Sequence, residues 1–151
     1  MIFGADEVMT RWVGKHVGSQ VDPHPTAKAI GVIDGGKIIA GVQYDQFNGV
    51  NIVAEIAALP KTRWATKARL FQIFNYPFNV IGAARITCLI NQTNAASQKL
   101  CKGLGFHQEG VLRGAAADGG DVLVFAMHRN ECKWIMPHGK VTESTTSSGD
   151  T

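Results

Sequence analysis

Apolar positions along the 151-residue chain change period several times, and each change predicts an element. Between Ala5 and Val17, the residues Val8, Trp12 and Val13 fall at helical spacing, which predicts a short amphipathic helix, with Pro23 and Pro25 closing off any continuation. Two strand-like runs follow, Ala29 to Ile33 and Lys37 to Tyr44, separated by Asp34-Gly35-Gly36. Glycine supplies the positive dihedrals that a tight reversal needs, so the pair predicts a hairpin. A third run, Asn51 to Leu59, comes after the loop around Asn48-Gly49 and completes three antiparallel strands in meander order. Pro60 ends it, because proline has no N–H to give to a sheet ladder.

From Trp64 to about Ile81 the period lengthens again. Leu70, Phe74, Phe78 and Ile81, with Ala68 and Phe71 beside them, recur at three- and four-residue steps, the pattern of a helix laid on a sheet. Pro77 lies inside that pattern and predicts a kink or an early end. Gly82 stops the segment, and the β-branched run Arg85 to Ile90 reads as a strand. Strand, helix and strand of this length predict a right-handed crossover and parallel pairing in part of the sheet. Ala96, Leu100 and Leu104 then form the stripe of a short helix, with Gly103 and Gly105 where the chain must leave it. Val111-Leu112 and Val122 to Met127 read as a final strand pair joined across Gly119-Gly120. Residues 1–134 therefore read as a single domain, and residues 135–151, rich in Thr, Ser and Gly, as a flexible tail.

Composition acts mainly by exclusion. Hydrophobic residues make up 45% and charged residues 18%, ordinary for a soluble chain long enough to bury one core. No run approaches the roughly 18 to 20 apolar residues of a membrane span, and the N-terminus lacks the order of a signal peptide, so a cytoplasmic protein with no membrane partner is expected. Cys88, Cys101 and Cys132 form an odd set without C-x-x-C spacing, which predicts packed, reduced thiols and no metal site. The net charge of +3 comes without a long basic run, so nucleic acid is not expected. One local cluster stands out: Lys61, Arg63, Lys67 and Arg69. It is either a solvated charged face or, given its place just after a strand, an anion contact.

The segment Asn91 to Asn94 opens the short helix, where unpaired backbone N–H groups and the positive end of the helix dipole are presented. Asn94 and Ser97 share one side of the first turn. They either cap and face water, or meet a long polar ligand lying along the helix. Around them, the order strand, N-x-x-S, short helix, Leu104-Gly105-Phe106, Glu109-Gly110-Val111-Leu112-Arg113, and a later strand ending in Met127 and Arg129 resembles the GNAT superfamily of acyl-CoA N-acyltransferases, particularly the branch that acetylates ribosomal-protein N-termini. The resemblance runs from about Ala58 to Arg129. It implies an α/β fold with a mixed central sheet of about six to seven strands and flanking helices.

The resemblance also implies an activity: transfer of an acetyl or other acyl group from acetyl-CoA to a primary amine by direct attack. The acceptor would be a small molecule, a protein N-terminus or a lysine, and a homodimer is compatible with it. In this family the cofactor's pyrophosphate rests on the loop after the fourth strand, with the pattern Q/R-x-x-G-x-G/A. Here Pro60 replaces the polar residue, Arg63 replaces the central glycine, and Ala65 conforms. The implied cofactor residues are Leu59, Lys61, Thr62, Arg63, Trp64, Ala65, Thr66, Asn91, Asn94 and Ser97. Lys61, Arg63 and Lys67 would supply charge where the glycine is lost. Glu55, the one carboxylate on the strand entering the loop, is the candidate general base, or else an edge-strand residue facing solvent. Ser97 is the candidate proton donor to the leaving thiolate. His16, His24, His107, His128 and His138 show no spacing that assigns them a role, and Ser97 lacks a nucleophile elbow. The rival reading is a GNAT-fold protein without catalysis, a structural or interaction module such as an accessory protein of a bacteriophage.

Overall fold

The computed structural model describes residues 1–17 and 26–136. Asp34-Gly35-Gly36 does reverse the chain: Gly35 and Gly36 both hold positive φ, and strands β2 (Lys28–Asp34) and β3 (Lys37–Asp45) pair antiparallel on either side. β4 (Asn51–Ala58) pairs antiparallel with β3, completing the expected meander. Two N-terminal residues, β1 (Ile2–Phe3), add to the free edge of β2. That strand is too short for any periodicity to announce it.

Helix α1 (Asp6–Val17) has nearly the expected bounds and a buried face that differs from the expected one at one position. Of the predicted stripe, Val13 is fully buried and Trp12 half-buried beside Gly41, whereas Val8 is 63% exposed and the fully buried Met9 takes its place. The sheet explains this. A Cβ built on Gly31 would come within 2.7 Å of the Met9 side chain, and one on Gly41 within 2.8 Å of Met9 and Val13. The two paired glycines form a flat dock into which these side chains settle.

After β4, the expected helix from Trp64 starts three residues late. Thr66 caps α2 (Lys67–Asn75), its hydroxyl oxygen accepting the Arg69 N–H at 3.3 Å. Pro77 does interrupt the helix, but by widening it: Tyr76–Ile81 form a π-helical turn in which the Pro77 carbonyl accepts from Gly82 and Ala83. Leu70, Ile73, Phe74 and Phe78 face the core.

β5 (Arg85–Asn91) returns parallel to β4, as the crossover predicted. α3 (Ala95–Leu104) ends on Gly105, which caps it at φ +109°. β6 (His107–Leu112) begins four residues before the expected Val111, and β7 (Val122–His128) inserts between β5 and β6. The result is a seven-stranded mixed sheet in the order β1-β2-β3-β4-β5-β7-β6. α1 packs on one face over β2, β3 and β4, and the main core lies on the other, under α2 and α3. Trp134 donates its indole N–H to the Leu104 carbonyl at 2.8 Å, and Ile135 packs against the core beside it. Of the expected tail, residues 135–151, Ile135 packs on the core instead, while residues 137–151, with His138, and Pro23, His24 and Pro25 lie outside the described residues.

Candidate functional site

β4 and β5 are hydrogen-bonded neighbours over three residue pairs, from Asn51↔Arg85 to Val53↔Thr87, and the ladder stops there. Beyond that point each strand keeps its outer partner: Ala54–Ala58 stay paired to β3, and Cys88–Asn91 to β7. The strands splay, and their inner backbone edges face a gap. A polar knot fastens the closed end. The Asn51 side-chain oxygen accepts from the Arg85 Nε at 3.1 Å and from the Thr87 hydroxyl at 2.6 Å.

The gap opens into a cavity of about 760 Å³ and an adjoining one of about 360 Å³ beneath the loop after β4. Asn94 and Ser97 line both, so the two form a continuous groove. Its charge is divided. Among the described residues, the larger cavity is walled by the carboxylates Glu55 and Asp118 without a basic side chain. The smaller has His16 and Lys61 without a carboxylate.

Glu55 sits mid-strand opposite Gln43, half-buried, and not on an edge facing solvent; β4 is central in the sheet. Its carboxylate has no hydrogen-bond or ion-pair partner among the described residues. Desolvation raises its pKa from the ordinary 4.5, the expected consequence of holding a charge in a half-buried site without a donor.

Across the groove, Asn94 caps α3, its Oδ1 accepting the Ser97 N–H at 3.1 Å. Capping uses only the oxygen. The Asn94 Nδ2 and the Ser97 hydroxyl have no partner among the described residues, and both residues are half-buried in the groove wall. Asn91 is engaged differently: its Oδ1 accepts from the Thr93 N–H at 3.0 Å and the Thr93 hydroxyl at 2.9 Å, which shapes the turn into α3. Cys88 and Cys101 are buried free thiols; the Cys101 side chain beside it, then burial, pushes the Cys88 pKa well up, so the thiol stays protonated.

The loop after β4 divides the remaining predicted residues. Leu59, Lys61, Thr62 and Trp64 line the smaller cavity, while Arg63, Ala65 and Thr66 are exposed and stay outside its lining. Trp64 is 8% exposed and belongs to the core, so it forms a wall and leaves the groove open. The Thr62 hydroxyl donates to the Leu59 carbonyl at 2.8 Å, and Arg69 donates to the Arg63 carbonyl at 2.6 Å, pinning both ends of the turn. Lys61 holds φ +60°, a left-handed conformation that is costly for a side chain-bearing residue.

Sequence reasoning missed two contributors. His16 lacks an informative neighbour in sequence, and only the docking of α1 brings it to the groove. Ala115, Ala116, Ala117 and Asp118, in the β6–β7 connection, wall the larger cavity because Asp121 ties that loop shut by accepting the Gly114 N–H at 2.9 Å. Among the described residues, no group of three or more His, Cys, Asp and Glu side chains is placed to hold a metal, and no helix is long and apolar enough to cross a membrane.

No family model matches the sequence, and no curated protein sequence matches it. Solved structures do resemble it. A protein from T. thermophilus provisionally assigned as an acetyltransferase aligns with TM-score 0.59 at 20% identity, over 72% of this chain and 62% of that one. The ribosomal-protein-S5-alanine acetyltransferase of Vibrio fischeri aligns with TM-score 0.56 at 20% identity, over 74% of this chain and 64% of its own. Mycobacterium smegmatis RimJ, solved in complex with CoA-disulfide, gives TM-score 0.57 at 17% identity, over 70% and 54% of the two chains. The chain thus matches less than two thirds of the length of each of these proteins. What the likeness and the splayed sheet establish together is the architecture: this chain has the GNAT acetyltransferase fold.

Proposed function

We propose that the protein is an acyl-CoA-dependent N-acyltransferase that transfers an acetyl or similar acyl group to a primary amine. The observation that carries this reading is the groove between β4 and β5, with an unpartnered carboxylate on one wall and an unpartnered amide and hydroxyl on the other. Its divided charge supports the same reading. The basic end suits an anionic diphosphate, and the acidic end suits an ammonium approaching from the opposite side.

The residues would share the work as follows. The amine must lose a proton to attack, and Glu55 accepts it; partial burial makes that carboxylate a stronger base than one in water. Asn94 Nδ2 donates to the amide groups of the pantetheine arm, and the Ser97 hydroxyl gives a proton to the departing sulfur while taking one from the nitrogen of the tetrahedral adduct. An N–H on the open inner edge of β4 serves the oxyanion. Lys61 and the N–H groups of the loop around Thr62 meet the diphosphate. RimJ holds a CoA derivative and the Vibrio fischeri protein acts on a protein's alanine, and both fit an acyl-CoA donor with an amine acceptor.

A second reading, a fold relative without catalysis, draws on Arg63 standing where the resembled loop carries glycine. Isothermal titration with acetyl-CoA and CoA separates the two. Binding, followed by CoA release on addition of an amine panel, is expected; no heat at millimolar ligand overturns the enzyme.

A further inference from the structure

His16 lies in the last turn of α1 and shares the wall of the smaller cavity with Lys61, Thr62, Asn94 and Ser97. Its ring is held in place. It stacks on Trp12 with centroids 3.9 Å apart, and its Nδ1 lies 2.8 Å from the Trp12 carbonyl oxygen. A carbonyl only accepts, so Nδ1 carries the hydrogen and Nε2 is left without a partner among the described residues. The helix bearing it is fixed in turn by Met9 and Val13 on the glycine dock of β2 and β3. His16 is therefore an exposed imidazole of fixed orientation, with Nε2 open to the groove and to solvent.

The surroundings favour an anion as the missing partner. His16 and Lys61 are the basic side chains of this cavity among the described residues, and no carboxylate joins them there. Glu55, on β4, lines the adjoining cavity; Arg11 and Lys15, on α1 itself, are exposed. Lys61 is held in a strained left-handed conformation at the same wall, the kind of departure that a binding loop sustains. With Nδ1 donating to the Trp12 carbonyl, the ring meets an anion through Nε2 when both nitrogens carry hydrogen.

We propose that His16 contacts the diphosphate of acyl-CoA from the α1 side of the groove, forming with Lys61 a two-sided cationic clamp. The inference rests on the acyl-CoA reading above and adds a residue to it.

Calorimetric titration of the wild type, His16→Gln and His16→Lys with CoA, and with pantetheine, which has no diphosphate, tests the clamp. His16→Gln should weaken CoA binding by about tenfold, the scale of one charge-assisted contact, leave pantetheine unchanged, and be rescued by His16→Lys. Equal affinity of wild type and His16→Gln for CoA, or equal loss for both ligands, overturns it. Wild type binding neither ligand removes the acyl-CoA reading and the clamp with it. Should the variants not fold, proton NMR of wild-type His16 decides: its ring signals must move on adding CoA and not on adding pantetheine, and unmoved signals overturn the contact.

Discussion

Arg85 and Glu109 form a two-point ion pair across an intervening strand. Arg85 lies on β5 and Glu109 on β6, with β7 between them, and the guanidinium reaches over to both carboxylate oxygens, one at 3.1 Å. The same guanidinium holds Asn51 and Thr87, so a single side chain ties β4, β5 and β6 at the end of the sheet where the groove closes. Glu109 belongs to the motif that suggested the acyltransferase resemblance. Its place here is structural, at the root of the splay and away from the groove wall.

The hydrogen bond from Arg85, then its charge, lowers the Glu109 pKa below the ordinary 4.5. A lowered folded-state pKa contributes stability above pH 4.5 that is lost as pH falls through the folded value. Urea unfolding of wild type and Glu109→Gln should therefore differ by about 1 kcal/mol at neutral pH, discounted for solvent exposure, and converge under acid. A difference that persists at low pH would show that the pair is not its source.

Glu55 has the opposite sign. Its raised folded-state pKa means that the native protein holds the proton more tightly, so stability falls as pH rises from 4.5 through the folded value. Glu55→Gln should be at least as stable as wild type at neutral pH while losing about 10² to 10⁴ in kcat/KM. A large loss of thermal stability in this variant would mark a structural carboxylate instead of a base.

Asn94 combines two tasks that a single substitution can separate. Asp is as good an N-cap, so Asn94→Asp keeps the bond to the Ser97 N–H but removes the Nδ2 donor. Melting temperature should stay within a degree or two, while CoA affinity drops by about tenfold or more. Asn94→Ala should lose about 1 kcal/mol of stability as well.

The glycine dock gives an ordered pair of stabilities. Gly41→Ala presses against the Val13 methyl at 2.8 Å, a short β-branched side chain that cannot swing away, as well as Met9. Gly31→Ala has its nearest contacts with the flexible end of Met9. Denaturant unfolding should show Gly41→Ala costing about 1 to 3 kcal/mol and Gly31→Ala less.

Local preferences along the chain set the elements and their order. Asp34-Gly35-Gly36 dictated the hairpin, because few residues accept positive φ; Gly105 dictated the end of α3 for the same reason. Pro77 marked the break in the second helix, since a missing N–H is a property of the residue and not of its surroundings. Asn94 and Ser97 were legible because capping is a local bond. Tertiary structure decided the rest. Which face α1 buries depended on two glycines on other strands, a relationship with no period along the chain. Whether Glu55 was an edge residue or a groove residue depended on β4 and β5 parting after three pairs, with β7 inserted on the far side of β5. His16 acquired a neighbour in Lys61 only when helix and loop met. Short-range dihedral and hydrogen-bond preferences are written residue by residue, whereas burial, desolvation and charge division arise between segments far apart in the chain, and packing alone brings those together.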